Sequence, residues 1–119
     1  KAHESMELAE KLDQVMCAEE LFKNRDLTLS DLAHQLDLSS KDLSLYINDH
    51  LGVNFSEYLN SLRVDNVKSR IASSEAEKYT LLAIAEEAGF NSKSSFYATF
   101  KRVVGMTPAD YKKSLDQNK

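Results

Sequence analysis

Lys93, Ser94, Ser95, Tyr97 and Ala98 stand within six consecutive positions, interrupted only by Phe96. An ammonium group, two hydroxyls, a phenol and a methyl make no catalytic set. They do make a recognition surface, because they offer the donors, acceptors and apolar contacts that read base edges in the DNA major groove. Asn91, Ser92, Lys101 and Arg102 flank them with groups suited to phosphate oxygens, which fix register without reading sequence. Nothing else in the chain competes as chemistry. His3, His34 and His50 have no metal-ligand spacing with Cys17 or with acidic pairs. Glu86 and Glu87 are adjacent, so on a helix they point to different faces and form no acid–base dyad. Glu75 and Glu77 lie in a polar stretch. Cys17 reads as a small core residue rather than a nucleophile. No Ser/His/Asp set and no phosphate loop can be argued, so neither an enzyme nor a cofactor or metal site is expected.

A recognition face of this kind needs a helix with an apolar back. Phe90, Phe96 and Phe100 supply the back. Gly89 can take the positive φ of a tight turn. Ala85, four residues earlier, is small enough for two helices to cross closely. The spacing predicts a helix over about 81–88, a turn at Gly89, a helix entered through Asn91 or Ser92, and a third opened by Thr107 with Pro108 in the first helical position. That is the pattern of a helix-turn-helix, whose second helix can enter the major groove.

The stretch Ala85–Lys113 resembles the C-terminal signature of the AraC family of bacterial transcription regulators. The residues that carry the resemblance are Ala85, Gly89, Phe90, Ser92, Phe96, Phe100, Lys101, Gly105, Thr107, Pro108 and Tyr111, and it extends back to about Leu27. It implies an all-α DNA-binding domain, two helix-turn-helix units joined by a long connector helix. Base-reading positions would fall at Lys93, Ser94, Ser95, Tyr97 and Ala98, and in the first unit at Ser40, Lys41, Ser44, Leu45 and Asn48. The implied partners are double-stranded DNA, RNA polymerase, and an upstream sensor or dimerisation domain of the same chain, with a dimer only in the full-length protein. Transcriptional activation is implied as well. The first-unit face departs from the family, which often carries Arg or Gln where Asp42 and Leu45 stand. That helix either touches a thymine methyl through Leu45 or mainly positions the complex, and Tyr46 is core or contact.

The net charge of −4 is unusual for a DNA binder, but it is unevenly spread. Residues 1–53 carry 5 basic and 11 acidic side chains, a net of −6, and residues 54–119 carry 10 and 8, a net of +2. From Asn91 onward the balance is 6 against 2, a net of +4. With a Debye length of about 8 Å at physiological salt, the local patch outweighs the total.

Taken in order, residues 1–26 are expected to hold an amphipathic packing or connector helix over 4–24, through Leu8, Leu12, Val15, Met16 and Phe22. Residues 27–53 form the first helix-turn-helix. Thr28 with Asp31 is a capping pair, Asp37 occupies the turn in a left-handed conformation that Asp tolerates, Ser39 caps the second helix and Gly52 ends it. Leu32, Ala33, Leu36, Leu38, Leu43 and Ile47 correspond in role to Ile84, Ala85, Ala88, Phe90, Phe96 and Phe100, an internal repeat offset by 52 and then 53 residues.

Residues 54–74 are the connector, capped by Asn54 with Glu57. Phe55, Tyr58, Leu59 and Leu62 share one face, and Val64, Val67 and Ile71 share roughly the opposite one, so the helix should serve two cores in turn. Some twenty residues span about 30 Å, close to the roughly 34 Å of one DNA turn, which would suit two recognition helices entering successive major-groove segments. Ser73–Tyr79 reads as a polar loop, and residues 80–119 as the second unit with a terminal helix, Tyr111 and Leu115 packing on it and the tail DQNK frayed. About seven helices result.

The chain starts at Lys1 rather than Met, so a fragment of something longer is expected. It would work in the bacterial cytoplasm at the nucleoid, any membrane tether lying in missing upstream sequence. The alternative reading, favoured by the acidic first half, is a helix-turn-helix-derived protein-interaction module without sequence-specific DNA binding.

Overall fold

Eight α-helices form, and no strand occurs among the described residues: α1 (Ala2–Asp13), α2 (Leu29–Gln35), α3 (Ser40–Tyr46), α4 (Phe55–Ile71), α5 (Glu75–Lys78), α6 (Leu81–Glu87), α7 (Lys93–Val104) and α8 (Pro108–Gln117). The computed structural model describes residues 2–117, with side chains from Met6 onward. The side chains of His3 and Glu4 and the end of the DQNK tail lie outside the described residues. The chain divides into two compact units, Lys1–Leu59 and Asn60–Lys119. No helix among the described residues is long and apolar enough to cross a membrane.

In the first unit the buried residues are Leu12, Met16, Phe22, Leu27, Leu32, Ala33, Leu36, Leu43, Ile47 and Leu59. The expected single helix over 4–24 is corrected. α1 ends at Asp13, a π turn covers Gln14–Ala18, Glu20 takes a left-handed φ of 56°, and a 3₁₀ turn follows at Leu21–Lys23. The reason is burial. Phe22 lies six residues after Met16, about 600° of helical rotation or 240° away from it. A straight helix therefore could not bury both, and the break at Glu20 lets both go inside. Lys23 Nζ bridges Glu20 Oε2 at 3.0 Å across the break.

α4 runs unbroken across the boundary between units, and its buried face changes as its apolar pattern requires. Leu59 is buried in the first unit. Val64, Val67 and Ile71 join Ile84, Ala85, Ala88, Phe90, Phe96 and Phe100 in the core of the second, with Leu81, Tyr97, Val104, Tyr111 and Leu115 packed against it. The start of α4 is closed reciprocally: Glu57 N–H donates to Asn54 Oδ1 at 2.8 Å, and Asn54 N–H to Glu57 Oε1 at 3.2 Å.

The expected loop Ser73–Tyr79 is also corrected, because it contains α5, the eighth helix. Arg70 on α4 organises it. Its Nε donates to Glu75 Oε2 at 2.6 Å and its Nη2 to Glu87 Oε2 at 2.6 Å, so one guanidinium ties α4 to α5 and α6. Burial lowers the Arg70 pKa, and the hydrogen bonds and charges of the two glutamates more than reverse this. Ala76 of α5 is buried, and Lys112 Nζ donates to its carbonyl at 3.2 Å.

Tyr58 yields a pH prediction. Its phenol is pushed well above its ordinary value of 10.0, first by burial and then by Cys17, Asp13 and Tyr46. A raised folded-state value means the contribution is intact below pH 10 and is lost as pH climbs, since the unfolded chain then releases a proton that the folded chain retains. Unfolding free energy should begin to fall above about pH 10, and Tyr58→Phe should remove that share of the fall in denaturant titrations at pH 8 and pH 11.

Candidate nucleic-acid interface

α7 is fixed by what flanks it. The turn from α6 is closed by three backbone bonds, Ala88 N–H to Ile84 O at 3.0 Å, Gly89 N–H to Glu86 O at 3.1 Å and Phe90 N–H to Ala85 O at 3.1 Å. Gly89 has φ 111°, a region from which a Cβ is excluded sterically. Ser92, not Asn91, caps the helix, its Oγ accepting from Ser95 N–H at 3.1 Å. Gly105, left-handed, ends it. Phe96 packs on Phe90 (5.3 Å between centroids) and edge-on to Phe100 (5.9 Å), and Phe100 meets Tyr111 at 5.7 Å. These aromatic pairs prevent α7 from rotating without loss of core contacts. Lys93, Ser94, Ser95 and Ala98 are therefore exposed together, as are Asn91, Ser92, Lys101 and Arg102, while Tyr97 is half-buried.

The first unit repeats this backbone bond for bond. Leu36 N–H donates to Leu32 O at 3.1 Å, Asp37 N–H to His34 O at 3.2 Å and Leu38 N–H to Ala33 O at 2.9 Å, each offset by 52 residues from its counterpart. Thr28 caps α2 as Thr80 caps α6, through Asp31 N–H at 3.1 Å and Ala83 N–H at 3.0 Å. Ser39 caps α3 through Asp42 N–H at 3.0 Å, 53 residues before Ser92. Gly52 and Gly105 close the recognition helices, and Asn54 and Thr107 open the helices after them. Asn91 is thus the extra residue of the second turn. Asp37 holds the turn position at φ 56°, which an L side chain occupies at a cost. Asp37→Gly should raise stability by about 0.5–1 kcal/mol in chemical denaturation, by relieving that strain.

The two recognition helices differ in charge and in shape. α7 carries Lys93, Lys101 and Arg102 with no acid, a net of +3, whereas residues 40–51 carry Lys41 against Asp42 and Asp49, a net of −1. α3 gives way at Ile47 to a π turn that continues to Leu51. In the first unit Ser40, Lys41, Leu45 and Asn48 are exposed and Ser44 is half-buried. Tyr46 is half-buried, and its ring stacks on that of His50 at 4.4 Å. Sequence reasoning brought the right residues onto the exposed faces. It missed the Thr80 cap, although a Thr three residues before Ala83 was a readable signal, and it missed Arg70, whose partners are distant in sequence. No group of His, Cys, Asp and Glu able to hold a metal occurs among the described residues.

A family profile described as a helix-turn-helix domain matches residues 32–114, a span that contains both turns and both recognition helices. The chain belongs to the AraC-type helix-turn-helix family. This AraC-type domain is 34% identical over 103 residues to an uncharacterised HTH-type transcriptional regulator of Staphylococcus aureus, covering 87% of this chain and 13% of that protein; the domain thus spans about an eighth of such a relative's length. Among solved structures, the AraC-type domain matches the C-terminal domain of the two-component response regulator yesN from Fusobacterium nucleatum, with 31% identity and a TM-score of 0.75 over 87% of this chain and 96% of that one. It shares its fold with a transcriptional regulator of Chromobacterium violaceum described as AraC-type, at a TM-score of 0.79 over 98% of both chains and 21% identity. The family is one of transcription regulator domains and is not an enzyme class.

Proposed function

We propose that this domain binds double-stranded DNA sequence-specifically, with α7 reading bases in the major groove and α3 entering a successive groove segment mainly to position the complex. The observation that carries the reading is the exposed row Lys93, Ser94, Ser95 and Ala98 on α7, held outward by the buried Phe96 and Phe100. Lys93 suits guanine O6 or N7, the serines suit either donor or acceptor, and Ala98 suits a thymine methyl. Asn91, Ser92, Lys101 and Arg102 suit phosphates. In the first unit Ser40, Lys41, Ser44, Leu45 and Asn48 are the corresponding candidates. Kinship with transcription regulators supports a role at bacterial promoters in the cytoplasm, as an activator placed beside RNA polymerase. The acidic first unit supports weak binding by a single copy, strengthened when upstream sequence joins two copies and makes the second binding event intramolecular.

Binding to a duplex library with a randomised window, followed across a salt series, tests this. The cations of α7 predict a slope of log K against log salt of about −3, at about −0.9 per neutralised phosphate, together with one enriched sequence. Exposed Leu45 (50%) and Leu51 (43%) in the first unit favour the second reading, an interaction module. No enriched sequence and a slope near zero would establish that reading and sink the first.

A further inference from the structure

Lys93 occupies the first turn of α7, where the helix dipole presents its positive end and disfavours a cation. No acidic residue stands in that turn to offset it. What the structure gives the ammonium instead is an aromatic ring: Lys93 Nζ lies 5.8 Å from the centroid of Tyr97, four residues on and so one turn along the same face. That ring is not free. Tyr97 is half-buried, packs against the second core and meets Phe96 at 5.3 Å between centroids with a 51° tilt. Phe96 is itself fully buried. A chain of contacts therefore runs from the core through Phe96 and Tyr97 to the ammonium of an exposed lysine.

We propose that Tyr97 is a positioning residue, whose core-anchored ring holds the Lys93 ammonium on the base-reading face of α7 and so sharpens preference for guanine at one base step. The inference rests on the proposed base-reading role of α7 and adds to it a specific division of labour. A free lysine is a flexible four-carbon stem bearing a strongly hydrated charge, and it loses much rotamer freedom on making a directed contact. A cation–π contact narrows that freedom before DNA arrives. The phenol hydroxyl has no part in this mechanism, so the aromatic ring should suffice.

The test uses the whole chain and a duplex library with a randomised window, with base preference at each step compared among the wild type, Lys93→Ala, Tyr97→Leu, Tyr97→Phe and the double variant Lys93→Ala/Tyr97→Leu. Thermal unfolding of each confirms folding. Lys93→Ala should reduce guanine preference at one step by about 5- to 150-fold. Tyr97→Leu should reduce it at the same step by about 2- to 5-fold. Tyr97→Phe should restore what Tyr97→Leu loses, and the double variant should match Lys93→Ala, as expected for residues that act as a unit. Loss at a different step, loss in Tyr97→Phe, or an additive double variant would overturn the proposal while leaving α7 as the reader. If Tyr97→Leu no longer folds, Tyr97→Phe decides alone: retained preference supports the ring, and lost preference assigns the contact to the hydroxyl and overturns it. No sequence preference in the wild type would overturn the base-reading role and this inference together.

Discussion

Phe96→Ala should destabilise the second unit by about 3–5 kcal/mol and abolish DNA binding at temperatures where the wild type still binds. Phe96 is fully buried and is the hub of the aromatic set, touching Phe90, Phe100 and Tyr97. Truncation removes the ring's transfer free energy and leaves a cavity that three neighbouring rings must collapse into. Because a small domain has only about 5–15 kcal/mol of stability, the loss is a large share of the total. It also removes what fixes the rotation of α7, so the exposed row is misdirected even in molecules that stay folded. Calorimetry of the variant beside the wild type checks the first effect. A Tm unchanged within error would show that the aromatic set does not hold the unit together.

Lys93→Ala is the second large effect, expected to cost about 1–3 kcal/mol of discrimination at one base step. Lys41→Ala should cost less, within about 1 kcal/mol, the scale of a single exposed charge. The difference follows from the surroundings of each residue. Lys41 is next to Asp42 on a segment with a net of −1, and Lys93 belongs to a helix with a net of +3. Titration of both variants on the duplex that the wild type selects provides the comparison, and equal losses would mean that the two helices read bases alike.

Legibility in the sequence followed the range of the interactions. Caps, glycine turns and the repeat depend on residues within a few positions of one another. Thr28 with Asp31, Asn54 with Glu57, Gly52, Gly89 and Asp37 are therefore legible in the sequence alone, and each is observed in its expected role. The aromatic back of α7 was legible because Phe96 and Phe100 recur at helical spacing. What escaped was set by distant partners. The break at Glu20 answers the need to bury Phe22 as well as Met16, which no local propensity encodes. α5 depends on Arg70 reaching Glu75 across a turn, and a run of polar residues does not announce it. At the interface, exposure of Lys93, Ser94, Ser95 and Ala98 followed from periodicity. The half-burial of Tyr97 did not, because 100° from Phe96 places it at the edge of the core, where packing decides.

Methylation interference on the duplex selected by the wild-type chain tests most directly whether α7 reads bases in the major groove. Guanine N7 faces the major groove and adenine N3 the minor. The account predicts that methylating N7 of one guanine blocks binding by the wild type, that Lys93→Ala is indifferent to that modification, and that adenine N3 methylation at the same step has little effect. Binding that ignores every N7 methyl group, or that is blocked only from the minor groove, would contradict it.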